Sequence, residues 1–135
     1  MSKAKQIGTA AETAIVKYMQ ECGYKDVKRV ILHGGNDQGD IHINCDNNGI
    51  PEIVIEVKSR KQEATYKEVE DFMVEAIKES HNALRNFSKS LKTFVVIKRP
   101  GKGKAEDWWL CWKEAHNKNL ITVRCRLGDY FKKEN

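Results

Sequence analysis

The sequence has no apolar run approaching the ~18 residues of a membrane span, and its opening MSKAKQIGTA lacks the apolar core of a secretory leader. A membrane role is therefore not expected, and the reading is a cytoplasmic protein. Four cysteines, Cys22, Cys45, Cys111 and Cys125, lie far apart, with no C-x-x-C pair and no Cys–His cluster. Free thiols are expected, rather than a disulfide framework or a zinc site. There is no internal repeat, no low-complexity segment and no linker. At 135 residues the chain suits one domain, 1–135, with a real hydrophobic core.

Charge is present in both signs, 24 basic against 19 acidic residues, for a net charge of +5. That excess alone decides little, but its placement carries information. Lys58, Arg60 and Lys61 leave one strand-like run, and KRPGKGK, Lys98 to Lys104, follows another. Either cluster alone reads equally well as a solvated loop. Two of them, each at a strand exit, point to a polyanion such as DNA or RNA.

Apolar spacing predicts the elements. Ala11, Ala14, Ile15, Tyr18, Met19 and Cys22 make residues 9–22 an amphipathic helix stopped by Gly23. Lys28 to Leu32 reads as a strand and runs into HGGNDQG, a loop. Asp40 to Cys45 alternates as a second strand, and DNNGIP turns the chain into a third, Ile53 to Lys58. A long helix follows, its stripe marked by Tyr66, Val69, Phe72, Met73, Ala76, Ile77, Ala83, Leu84 and Phe87. Strands over Thr93 to Ile97, Asp107 to Trp112 and Leu120 to Arg126 complete an α/β domain around a mixed sheet.

The stretch IVIEVKSRK holds the chemistry. Alternation places Val54, Glu56 and Lys58 on one face, and a carboxylate on a core strand is expensive unless paired, metal-bound or near solvent. If Asn47-Asn48-Gly49 is a three-residue loop with Gly49 left-handed, Asp46 pairs with Ile50 and Asp40 falls opposite Glu56. A two- or four-residue loop would send Asp40 to the other face. Two carboxylates ~5 Å apart repel when ionised, and a hard divalent cation, Mg2+ with Mn2+ as substitute, relieves this. Lys58 would sit beside the ion, where it can orient an attacking water or stabilise charge growing on a phosphate. The competing reading of Glu56 and Lys58 is an ion pair on a half-exposed face.

Asp40 followed by Glu56-Val57-Lys58, after a helix containing Glu12, resembles the PD-(D/E)xK nuclease superfamily with its αβββαβ core. The sequence is similar in particular to archaeal-type Holliday junction resolvases and their phage-borne relatives. The shared features are Gly8-Thr9-Ala10-Ala11-Glu12, Gly39-Asp40-Ile41, the Glu-Val-Lys strand, and Val95-Val96-Ile97-Lys98-Arg99-Pro100-Gly101, shifted by one inserted residue. The usual proline before the acid is replaced by Gly39, and the serine that archaeal resolvases often carry in the preceding loop is replaced by His33-Gly34-Gly35. The likeness runs from about residue 7 to residue 112.

The resemblance implies a restriction-endonuclease-like fold and a Mg2+-dependent endodeoxyribonuclease of the junction-resolving type. It would act as a homodimer on branched or duplex DNA, in the host cytoplasm if phage-encoded, in DNA recombination. Asp40 and Glu56 would be metal ligands, with the Val57 carbonyl a third and Glu12 approaching through a water; Lys58 would be the catalytic lysine. Glu12 has a rival role, since Thr9-Ala10-Ala11-Glu12 is also a capping-box sequence. Candidate DNA contacts are Lys3, Lys5, His33 and Gln38, and the strand-exit cations Arg60, Lys61, Lys98, Arg99, Lys102 and Lys104, the last group expected on the same side of the sheet as the metal. His42 shares the Asp40 face and reads as packed or DNA-touching. Trp108, Trp109 and Trp112 read as core or dimer residues, or as base-stacking platforms. The alternatives are a nuclease of the same superfamily with restriction-like, nicking or flap-cutting specificity, and a non-cleaving DNA-binding subunit.

Overall fold

Helix α1 spans Lys3–Glu21 and buries Ala11, Ile15, Tyr18 and Met19, one face at helical spacing. It stops where expected. Gly23 adopts φ +100, its N–H donates to the Gln20 carbonyl and the Tyr24 N–H reaches back to Met19, which satisfies the last carbonyls. Its start differs from the expected residue 9, so Thr9 is an interior residue whose carbonyl accepts from Thr13 Oγ1. Glu12 is therefore not a capping-box residue. Lys3 to Gln6 are good helix formers without an apolar stripe, so apolar spacing does not mark them. The computed structural model describes residues 3–31 and 36–134, with side chains from residue 8 onward.

Strands β1 (Val27–Arg29), β2 (Ile41–Ile43) and β3 (Ile53–Ser59) form an antiparallel meander. Helix α2 (Tyr66–Leu84) then crosses over, so that β4 (Lys92–Lys98) lies parallel to β3. A 3-10 turn over Ala105–Asp107 leads into the hairpin β5 (Trp109–His116) and β6 (Asn119–Arg126), and α3 (Leu127–Tyr130) closes the fold. Among the described residues the sheet is six-stranded, in the order β1-β2-β3-β4-β5-β6. β1 is shorter than the expected Lys28–Leu32. After Arg29 its partner strand ends at Asp40, and the Val30 N–H to Asp40 carbonyl bond is the last rung before Ile31 leaves into solvent.

The two faces of the sheet have different cores. Ile41, Ile43, Ile53, Ile55, Phe94, Val96 and Leu110 pack under α1, together with Trp108. Val95, Ile97 and Cys111 pack under Val69, Phe72, Met73 and Ala76 of α2. Tyr66, Ile77 and Phe87, expected in the α2 stripe, are instead exposed. α2 begins on a true capping box. Thr65 Oγ1 accepts from the Glu68 N–H, while the Glu68 carboxylate accepts from the Thr65 N–H.

The β2–β3 hairpin sets everything that follows. The Asp46 N–H donates to the Ile50 carbonyl at 2.9 Å and Gly49 takes φ +78, so the loop is Asn47-Asn48-Gly49. Ile41 then pairs with Ile55, the last rung of the β2–β3 ladder, and Asp40 follows directly beside Glu56.

Candidate active site

β3 alternates between the two cores. Ile53 and Ile55 face α1, and Val54, Glu56 and Lys58 face α2. Glu56 is only 3% exposed, in the middle of the strand. Asp40 lies against it. The Asp40 N–H donates to the Ile55 carbonyl, and its Oδ2 accepts from the Val57 N–H at 2.7 Å. Gly39 permits this approach, with φ +93 and no room for a side chain: a Cβ there would stand 2.5 Å from Val54 Cγ1. A glycine before the acid is a steric requirement of this loop.

Burial, and then the neighbouring Glu56, push the Asp40 carboxyl from its ordinary range up to about 8. The Val57 amide works in the opposite direction. Glu56 also rises through burial, opposed first by its hydrogen bond with Asp40, reinforced by Glu79, and opposed more weakly by Lys58. Lys58 Nζ stands 3.7 Å from Glu56 and 3.1 Å from Glu75, and lies over the Phe72 ring. Burial works against its charge, but these carboxylates together outweigh burial and raise its pKa. Asp40, Glu56 and Lys58 thus meet on one face, two acids and one ammonium ion. The hard oxygen donors of Asp40 and Glu56 suit a small divalent cation, which would discharge two buried acids that otherwise hold protons.

Glu12 feels the charge of Asp40 from helix α1. It pairs with Arg29 of β1 at 3.0 Å, and its pKa is raised by burial and then by the charge of Asp40. The three-carboxylate group that does converge, among the described residues, is Asp37, Glu56 and Glu79, with one oxygen of each within 4.8 Å of the others. Apolar patterning missed Glu79. The signal was present: Val69, Phe72, Met73, Ala76 and Ala83 are buried on α2, and Glu79 and Ser80 fill the place between Ala76 and Ala83 on the same stripe. His42 is buried, and with the Gln38 carbonyl as acceptor its Nε2 must donate, at 2.7 Å. Its role is to fasten the loop that carries Asp37 and Asp40, and burial lowers its pKa.

The strand-exit cations form one depression and one outlier. Arg60, Lys61, Lys98, Arg99 and Lys102 line a hollow at the carboxyl ends of the parallel strands β3 and β4. Lys104 instead lines a hollow on the α1 side with Lys17, Glu106 and Lys133. Arg60 is held by Glu68 and the Phe72 ring, and Arg99 by Glu63 and the Trp109 ring. Gln38 lines a hollow beside Asp37 and Asp40. The side chains of Lys3 and Lys5, and all of His33, lie outside the described residues. Trp108 is buried and donates to the Lys102 carbonyl, which braces the basic loop. Trp112 packs on Phe94 and Tyr130, and Trp109 between Arg99 and Arg124. All four cysteines are free thiols. No helix among the described residues is long and apolar enough to cross a membrane.

Residues 5–100, well over half the chain, match the restriction endonuclease family Mrr_cat. The chain belongs to that family. No curated protein and no solved structure matches it. This restriction endonuclease domain is therefore a nuclease of the PD-(D/E)xK superfamily, a group that generally uses divalent metals, and DNA is the substrate its fold implies.

Proposed function

We propose that the protein is a Mg2+-dependent endonuclease that cuts branched DNA, four-way junctions foremost, as a homodimer. The observation that supports this reading is the contact of Asp40 with β3, its Oδ2 accepting from the Val57 N–H, with Lys58 Nζ 3.7 Å from Glu56. In this reading Asp40, Glu56 and the Val57 carbonyl would hold the ion, with Glu12 approaching through a water. A bound ion would supply Lewis-acid stabilisation at the phosphate.

The protein's own groups do the rest. Lys58, held by Glu75, presents its ammonium to negative charge developing on a scissile phosphate. Lys61, Lys98 and Lys102 at the strand exits hold the flanking backbone. Lys58 and both acids are retained, which favours cleavage over a binding-only role. The junction preference rests on the Gly8-to-Glu12 and Gly39-Asp40-Ile41 patterns. Two strands of a junction must be cut in pairs, and a twofold dimer supplies two sites.

The test compares a fixed four-way junction with a linear duplex of the same arms, in Mg2+ and in chelator. Paired cuts in the junction alone, lost in chelator, are the expected outcome. Equal cutting of duplex would favour the restriction-like reading that the family match itself suggests. Binding without cleavage in Mg2+ or Mn2+ would overturn the nuclease assignment for this chain.

A further inference from the structure

We infer that Asp37, Glu56 and Glu79 form a second divalent-cation position, which shares Glu56 with the Asp40 position proposed above and in that respect rests on it. Glu79 is the deciding residue. It is 3% exposed, and among the described residues neither of its carboxylate oxygens has a hydrogen-bond partner. A buried carboxylate aimed at two others, with no donor, is stable only when protons or a cation neutralise it, and a single cation serves all three at once. The nearby ammonium of Lys58 bonds Glu75 and reaches Glu56, and makes no hydrogen bond to Glu79.

The geometry suits a hard ion. Oxygens on opposite sides of Mg2+ stand about 4.2 Å apart, and about 4.6–5.2 Å across Ca2+, from the usual bond lengths. Three oxygens that all lie within 4.8 Å of one another are within reach of one such ion. The three carboxylates come from three separate elements: a loop, β3 and α2. The loop is fastened to the other two, because Asn82 Nδ2 of α2 donates to the Asp37 carbonyl and His42 of β2 donates to the Gln38 carbonyl. Asp37 is thereby held over Glu79.

The experiment titrates the full chain with Mn2+, without DNA, and counts bound ions from the loss of the free-ion electron paramagnetic resonance signal. Wild type should bind two ions per chain, Glu79→Gln one and Asp40→Asn one. Equal stoichiometry in wild type and Glu79→Gln would overturn the second position. So would a single wild-type ion lost in both variants, because that is one shared ion. If Glu79→Gln loses an ion and Asp40→Asn loses none, the second position stands and the Asp40 reading fails. Folding is checked by circular dichroism in chelator, where Glu79→Gln should melt no lower than wild type. Asp37→Asn, at an exposed position, should lose the same ion as Glu79→Gln; retention of that ion would also overturn the proposal.

Discussion

In chelator, the stability of the fold should fall as pH rises from 6.5 to 8. Asp40 ordinarily titrates near 3.8, and burial followed by Glu56 carries it to about 8 in the folded chain. Glu56 rises from 4.5, to about 8, by burial and then Glu79. Between those limits the folded chain keeps protons that the unfolded chain has released, so stability declines with pH. The stabilisation is complete below the ordinary values and is lost as pH climbs through the folded ones.

One proton released near pH 8 corresponds to ~1.6 kcal/mol between pH 6.5 and 8, and the second carboxyl adds to this. His42 has the opposite sign, because its lowered pKa favours folding as pH rises, but its effect ends near its ordinary value of 6.5. The cysteine thiols lose protons from 9.0 upward, above the window. Urea denaturation in EDTA at pH 6.5, 7.25 and 8 measures the slope. Asp40→Asn keeps an acceptor for the Val57 amide and removes the acid, so its slope should be smaller by roughly the single-proton amount. A flat or rising wild-type profile, or an unchanged slope in Asp40→Asn, would refute the claim that these acids share a buried face. Millimolar Mn2+ should abolish the slope.

Three further outcomes follow from the same geometry. Gly39→Ala, with φ +93 and a Cβ 2.5 Å from Val54 Cγ1, should cost on the order of 2–4 kcal/mol in chemical denaturation. Lys58→Ala should slow single-turnover cleavage by on the order of 10²–10³-fold while gel-shift affinity for the junction stays near wild type. Replacing Lys98 and Lys102 by alanine should weaken junction and duplex binding alike and flatten the salt dependence by about one unit per lost phosphate contact. Lys104→Ala, which opens on the α1 side, should leave the salt curve unchanged.

The acidic pair was legible because one turn decided it. Asn47-Asn48-Gly49 admits a three-residue loop with Gly49 left-handed, and once that is fixed, counting along both strands puts Asp40 opposite Glu56. The helix caps were less legible. Thr-x-x-Glu occurs at Thr9 and at Thr65, and local sequence makes the two equivalent; only Thr65 caps, because α1 already runs back to Lys3. Glu79 escaped for a different reason. Its neighbours on α2 include many surface acids, and a charge between Ala76 and Ala83 counts as buried only when helical phase is followed without interruption. The grouping of the cations was not legible either. Lys102 and Lys104 are two residues apart, yet they line two different hollows.

The face proposed to receive the phosphate is itself acidic, and that shapes how it can work. Asp37, Asp40, Glu56 and Glu79 meet there, while Lys58 is the cation held closest to Glu56. A DNA backbone brought to such a face meets repulsion unless protons or divalent ions neutralise the acids. Protons do so below about pH 8 at the Asp40–Glu56 pair, but a protonated acid gives up the charge that would hold a metal. The basic hollow at the ends of β3 and β4 lies beyond this cluster along the same strand, so attraction and chemistry are separated by two or three residues of β3. In the proposed reading attraction can operate without an ion, whereas the chemistry needs one. That separation is why Lys58 and the strand-exit lysines should respond so differently to substitution.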